Sequence, residues 1–268
     1  PLLLVTPQAA NKTMGQGGFQ EVEQMNLFKD MVCYQEEVRD PSRMAEVLNR
    51  VIEKAYRGSA PAQINVPRDF WTQVIDIDLP PIVRFETQGG GKEAILSAAK
   101  YLSNAKFPVI LSGAGVVIGD AIEETKKLAE KLDSPVCSGY QHNDSFPGSH
   151  PLAVGPLGYN GSKAAMELIS KADVVLALGT RLNPFSTLPG YGIDYWPKNA
   201  NIIQVDINPD RIGLTKKVTV GISGDAKLVA EQILAKLSSN AGDTDRQARK
   251  DLIHQTKSAW LQKLSSLD

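Results

Sequence analysis

The sequence is poor in the residues that build metal sites, disulfides and nucleic-acid surfaces. Its 268 residues include two cysteines and three histidines, and the formal net charge is -1. Cys33 and Cys137 lie far apart in apolar segments, which suits reduced core thiols better than a disulfide, and cysteine and histidine together are too few for a zinc cluster. We therefore expect no metal site and, with basic residues scattered along the chain, no nucleic-acid partner.

Long apolar runs are also missing. No stretch approaches the roughly 20 residues that span a bilayer, and no basic and apolar leader precedes the first strand, so we expect no membrane partner and a cytoplasmic location. The chain has no initiator methionine and opens on residues 2–5, which read as a buried strand. These features predict a piece of a longer protein in which part of the first domain is missing.

The patterns that are present indicate an α/β protein of two domains. Asp40-Pro41-Ser42 opens an amphipathic helix that Arg57-Gly58-Ser59 ends, and residues 61–67 read as a strand. Pro80-Pro81 and Gly89-Gly90-Gly91 mark a linker over residues 77–91. We therefore predict a first domain at 1–76, a central domain at 92–240 and a helical connector at 241–268.

The central domain alternates strands with helices. Repeated βα units imply a parallel sheet covered on both faces, so the fold expected is a truncated parallel-sheet domain followed by a Rossmann-like, doubly wound domain. The predicted helices span residues 92–103, 118–132, 162–171 and 226–237, with a helical turn at 209–213, and the predicted strands span 108–112, 135–138, 173–179, 201–206 and 218–222.

Residues suited to a nucleotide follow several of these strands. Gly113 and Gly115 would let a pyrophosphate approach, Arg181 could bind phosphate with its guanidinium, and Asp206 could accept from ribose hydroxyls. The third glycine of GAGVVIG lies one place too far for G-x-G-x-x-G. A domain that keeps its tight turns but binds nothing is the alternative.

A second candidate site is the run Gly15-Gln16-Gly17-Gly18-Phe19-Gln20-Glu21. Glycines let a backbone approach a ligand closely, while Phe19 and Gln20 would offer an apolar wall and an amide. The alternative is a solvated turn. Further on, Asp69 is expected to cap a helical turn rather than contact a neighbouring subunit.

Taken together, the motifs resemble a known family across nearly the whole chain. GGFQE, PAQINVPRDFW, PVILSGAGV, FPGSHPLAVGPLGYNG, ADVVLALGTRL and IIQVDINPDRIG are similar to the thiamine diphosphate enzymes related to acetolactate synthase. The resemblance implies that residues 1–76 are the later half of a pyrimidine-binding domain. Two longer runs, GQGGFQEVEQMNLFKDMVCYQEEVRDPSRM and DRQARKDLIHQTKSAWLQKLSSLD, most resemble members that act on sulfoacetaldehyde.

The resemblance implies an acyltransferase that converts sulfoacetaldehyde and phosphate to acetyl phosphate and sulfite, with thiamine diphosphate and Mg²⁺ as cofactors. It places Phe19 and Gln20 at the substrate end of an active site formed between subunits of a homodimer or homotetramer. The activating glutamate and the Gly-Asp-Gly metal motif of such enzymes are not in this chain, so the resemblance implies that the chain alone is inactive.

Three positions depart from the flavin-binding relatives. Asn160 replaces their histidine, and Asn183 and Phe185 stand near their acidic and basic residues, which argues against FAD. An adenine nucleotide or an empty pocket are the alternatives for the central domain. For the whole protein, the alternatives are an acetolactate synthase-type carboligase and a non-catalytic nucleotide-binding module.

Overall fold

The computed structural model describes residues 1–81 and 86–266, which form two compact units, Pro1–Phe85 and Glu86–Asp268. Each unit contains a sheet whose strands are all parallel, which confirms the α/β class. Residues 82–85 of the predicted linker and 267–268 of the predicted connector lie outside the described residues. The predicted domain boundaries stay a prediction.

The first unit is a three-stranded sheet in the order β1-β3-β2 with a helix packed against it. Val47, Val51 and Ala55 form the buried stripe of that helix, and the Asp40 carboxylate accepts from the Ser42 amide at the turn that leads into it. The elements are β1 Leu2–Gln8, α1 Gln24–Phe28, β2 Tyr34–Glu37, α2 Met44–Gly58 and β3 Pro61–Pro67.

The predictions for residues 2–5 and for Asp69 were wrong. Residues 2–5 do form a strand, but it is not buried: Leu2 is 56% and Val5 55% exposed, because β1 is an edge strand that pairs only with β3 among the described strands. Asp69 does not cap the turn Arg68–Phe70; its carboxylate instead accepts from the Asn11 amide at 3.1 Å. Asp69 therefore links the segments that follow β1 and β3.

The second unit has six strands in the order β6-β5-β4-β7-β8-β9. Counted within the unit this is 3-2-1-4-5-6, the order of dinucleotide-binding Rossmann folds, so the predicted fold is confirmed. The elements are α3 Lys92–Ser103, β4 Pro108–Ser112, α4 Ala114–Ile118, α5 Ile122–Leu132, β5 Val136–Ser138, β6 Ala153–Pro156, α6 Lys163–Ile169, β7 Val174–Leu178, β8 Asn201–Asp206, β9 Val220–Ser223, α7 Ala226–Lys236 and α8 Arg246–Ser265.

A buried arginine anchors α8. Arg249 is 1% exposed and donates to the backbone carbonyls of Lys106, Leu132 and Asp133, as well as to two carbonyls just before the helix. Burial lowers the pKa of this guanidinium, yet its donors have partners, as a buried cation requires. The helix is thereby attached to the loops before β4 and after α5.

The two cysteines differ in their surroundings. Cys137 is a buried free thiol whose pKa is raised by burial, as expected for a core residue, whereas Cys33 is free but exposed, so the prediction that both lie in a core was wrong for Cys33. Within residues 1–81 and 86–266, no helix is both long enough and apolar enough to cross a membrane.

Candidate functional site

The glycine-rich run in the first unit forms a tight loop after β1. Gly15, Gly17 and Gln20 have φ angles of +82°, +71° and +63°. Glycine adopts this left-handed backbone at little cost, whereas a glutamine there costs roughly 1–2 kcal/mol. Residues with such strained backbone are found disproportionately at active sites and ligand-binding loops.

Phe19 and Gln20 lie together at the exposed tip of the loop. Phe19 is 87% exposed, the most of any phenylalanine described, and Gln20 is also exposed. Neither side chain makes a hydrogen bond or ring contact with the described residues. The structure therefore presents both predicted residues to solvent.

The carboxylate of Glu21 closes this loop. One oxygen accepts from the Gly15 amide at 2.7 Å and the other accepts from the Gly18 amide at 3.1 Å. The sequence shows this carboxylate in the run but does not indicate its role. A contact between a side chain and a backbone amide six residues away leaves no periodic signal.

A cavity of about 550 Å³ lies at the carboxyl ends of β1 and β2. Gln8, Met14, Glu37 and Arg39 are among the residues that line it. In the described part of the chain Arg39 has no acidic partner, whereas Glu37 accepts from the Asn65 amide group at 2.7 Å. No pattern in the sequence indicated this cavity.

A buried polar network reaches Glu37, one of the residues that line the cavity. The Thr6 hydroxyl donates to the Asn65 side-chain carbonyl at 2.9 Å and accepts from the Gln63 amide group at 2.9 Å, with Gln63 and Asn65 fully buried. Because Asn65 also donates to Glu37, the network joins all three strands. The sequence does contain a signal for this network: the amide side chains of Gln63 and Asn65 alternate inside the otherwise apolar strand PAQINVP.

In the second unit the order of the strands reverses between β4 and β7. The carboxyl end of the sheet at this point is where Rossmann folds bind ligands, and both neighbouring loops begin with glycine. Gly115 donates its amide to the Gly179 carbonyl at 2.8 Å, and a Cβ on Gly115 would lie 2.6 Å from the Gly179 Cα. A Cβ on Gly113 would lie 2.6 Å from the Gly179 carbonyl oxygen and from the Thr180 Cβ. These glycines are thus required by the packing of one loop against the other.

Arg181 follows β7, and Asp206 is the last residue of β8, at the same end of the sheet. Arg181 is exposed and has no acidic partner within the described residues, whereas Asp206 is 6% exposed and one of its oxygens accepts from the Asn208 amide at 2.9 Å. The fold therefore gathers the four residues of the predicted nucleotide site at one end of the sheet. A role for them in binding stays a prediction.

Metal ligands were also sought among the acidic, histidine and cysteine side chains of residues 1–81 and 86–266. Among the described residues there is no group of three or more such side chains that could hold a metal ion.

Residues 95–233 match the family model of the thiamine pyrophosphate enzyme central domain. The whole chain is 80% identical to 45% of a probable sulfoacetaldehyde acetyltransferase of Rhizobium meliloti (strain 1021), and 78% identical to 44% of the sulfoacetaldehyde acetyltransferase of Roseovarius nubinhibens. It is 35% identical, over 88% of its length and 41% of the relative's, to a probable acetolactate synthase large subunit of Methanocaldococcus jannaschii. The chain spans less than half the length of these relatives.

A solved structure has the same fold. The crystal structure of benzoylformate decarboxylase from Polynucleobacter necessarius matches with a TM-score of 0.78 over 89% of this chain and 45% of that one, at 22% sequence identity. At this identity the match shows the fold alone. The family match at residues 95–233 spans more than half of the chain, so the chain belongs to the thiamine pyrophosphate enzyme family.

Proposed function

We propose that the protein containing this chain is an acyltransferase that uses thiamine diphosphate and Mg²⁺ to convert sulfoacetaldehyde and phosphate to acetyl phosphate and sulfite. The observation that carries the proposal is the 80% identity, over every residue of the chain, with a probable sulfoacetaldehyde acetyltransferase. We further propose a cytoplasmic homodimer or homotetramer that acts in taurine degradation.

The proposed roles of this chain's residues are orientation and exclusion of water. Thiamine diphosphate supplies, when bound, a carbanion that attacks aldehydes. Phe19 shields the reacting carbon from water, and the Gln20 amide donates a hydrogen bond to an oxygen of the substrate or of phosphate. Their freedom from other contacts in the described residues supports these roles.

The test uses the full-length protein, with thiamine diphosphate, Mg²⁺, sulfoacetaldehyde and phosphate. We expect sulfite and acetyl phosphate in equal amounts, and no acetolactate from pyruvate alone. Acetolactate in the second mixture would instead favour an acetolactate synthase-type carboligase. Failure of both reactions, with tight binding of an adenine nucleotide, would favour the non-catalytic module.

Gln20→Ala tests the site directly. Loss of one hydrogen bond to a charged oxygen is worth about 1.5–3 kcal/mol, so turnover should fall about 10- to 100-fold while the melting temperature is unchanged. Gln16→Ala is the matched control, because Gln16 lies in the same exposed loop and makes only a 3.5 Å contact with the Lys12 carbonyl. Equal loss of turnover in both variants would contradict a specific role for Gln20.

The predicted central-domain site, Gly113, Gly115, Arg181 and Asp206, is proposed to take the phosphates and ribose of an adenine nucleotide rather than FAD. The position of these residues at one end of the sheet supports this proposal, as does Arg181, which is exposed and has no acidic partner in the described part of the chain. Calorimetry with ADP should detect binding that Arg181→Ala weakens. Binding that is unchanged by the substitution would reject the assignment of Arg181.

A further inference from the structure

The loop between Gly15 and Gln20 has little support from secondary structure. It follows the turn Asn11–Thr13, and the backbone bonds that cross it are Gln16 to Thr13 and Glu21 to Gly18, at 3.2 and 3.1 Å. Three left-handed residues in six make an unsupported chain of this kind costly to order. Some other interaction must therefore hold its shape.

The Glu21 carboxylate is the interaction that does so. Its two oxygens accept from amides six and three residues earlier in the chain, at 2.7 Å for Gly15 and 3.1 Å for Gly18. Of the side chains described, no other accepts from a backbone amide between residues 15 and 20. Hydrogen bonds to an ionised carboxylate are about twice as strong as neutral ones, so this pair of contacts closes the loop.

The same loop leaves its two central side chains free. Phe19 is 87% exposed, and in the described part of the chain the Gln20 side chain has no hydrogen bond. A loop whose backbone is fixed while its ring and amide stay unpaired is organised in advance for a ligand, since less freedom is lost on binding.

We propose that Glu21 is a positioning residue that holds the Gly15–Gly18 backbone so that Phe19 and Gln20 face the substrate. The identity of the substrate rests on the proposed function, whereas the control of loop shape by Glu21 does not. Glu21 itself is not proposed to touch the reacting atoms.

Hydrogen exchange on the full-length protein tests the control of loop shape without any activity. Glu21→Gln keeps the size of the side chain but replaces one acceptor oxygen by a donor, so it cannot accept from both glycines. At least one of the Gly15 and Gly18 amides should exchange about tenfold faster, as expected when a charge-assisted hydrogen bond is lost. Asp30→Asn is the control, because Asp30 is an exposed carboxylate without a hydrogen-bond partner in the described residues. Unchanged exchange in Glu21→Gln would overturn the proposal.

Kinetics on the same protein test the link to the reaction. Glu21→Gln should lower kcat for sulfite release about tenfold with KM and melting temperature little changed. The double variant with Gln20→Ala should be no slower than Gln20→Ala alone, because residues that act together are not additive. Glu21→Asp keeps the charge one methylene shorter and should recover part of kcat.

The outcomes separate the two proposals. If the unsubstituted enzyme released no sulfite, the proposed function would fail, while faster exchange in Glu21→Gln would still support the loop assignment. Positioning by Glu21 would be rejected if exchange became faster while kcat stayed unchanged. It would also be rejected if the effects of Glu21→Gln and Gln20→Ala on kcat were fully additive. Neither result would contradict the proposed enzyme activity.

Discussion

At Gly115 the backbone of one loop lies directly against the backbone of another, which leaves no room for a side chain. A Cβ there would lie 2.6 Å from the Gly179 Cα, so Gly115→Ala must push the two loops apart. We expect the free energy of unfolding to fall by about 1–3 kcal/mol, as for other overpacked sites, measured by urea unfolding.

Gly148→Ala provides the control for this substitution. Gly148 is exposed, and no atom lies within 4 Å of the position that its Cβ would occupy. The free energy of unfolding of the Gly148→Ala variant should therefore change by less than about 0.5 kcal/mol. If Gly115→Ala changed the free energy of unfolding as little as Gly148→Ala, packing would not require a glycine at position 115. That result would favour the hypothesis that Gly115 lets a pyrophosphate approach the loop.

Residue types in the sequence identified the candidate sites but not the hydrogen bonds that hold those sites in place. Phe19 and Gln20 were predicted from the glycines around them, and both lie exposed at the loop tip. The hydrogen bonds that Glu21 accepts from the loop and the polar network through Asn65 were not predicted. Both depend on contacts between segments that are distant in sequence or irregular in backbone, and such contacts have no spacing that can be read from one chain.

Among the elements, α2 and β2 are linked by a charge pair. Arg50 on α2 donates to both oxygens of Glu36 on β2, at 2.9 and 3.0 Å. The bonds from Arg50, and a further one from the Tyr34 hydroxyl, hold the pKa of Glu36 below its ordinary value of 4.5. The ionised form of Glu36 therefore stabilises the packing of helix on strand.

This link predicts a pH dependence of stability. Because the folded pKa of Glu36 is depressed, its contribution is fully present above about pH 4.5, the ordinary value, and is lost as the pH falls through the lower folded value. Ion pairs near the surface are worth about 0.2–1 kcal/mol, so Glu36→Gln should lower the free energy of unfolding by about that amount at pH 7 and differ less from the unsubstituted protein at low pH. Urea unfolding across this pH range measures the difference. A constant difference at all pH values would show that the charge is not responsible.

Long periodic elements were predicted well and short irregular ones were not. Residues 61–67, 108–112 and 201–206 form strands with the predicted bounds. The strand β6 was missed because glycine and proline occupy half of its four positions and its register with β5 shifts. The predicted helix 118–132 begins only at Ile122, since Asp120 has a φ of +51° that ends the short α4.

At the scale of the whole molecule, each compact unit has its own hydrophobic core. The first is small and consists of residues such as Val51 and Ile64, whereas the second extends over both faces of a six-stranded sheet around residues such as Leu176. The free energy gained by folding grows with the apolar area buried. We therefore expect the first unit to unfold at a lower urea concentration than the second.

Matched truncations test whether the two cores unfold independently, because Ile64 and Leu176 are both almost fully buried, at 1% and 0% exposure. Ile64→Ala and Leu176→Ala should each lower the free energy of unfolding of their own unit by about 2–5 kcal/mol, since both leave a cavity in a core strand. Hydrogen exchange measured by mass spectrometry at increasing urea concentrations shows which unit's peptides lose stability in each variant. Ile64→Ala should advance exchange in β1, β2 and β3 and leave that of β7 and β8 unchanged. Equal advance in both sets of strands would mean that the two cores unfold as one cooperative unit.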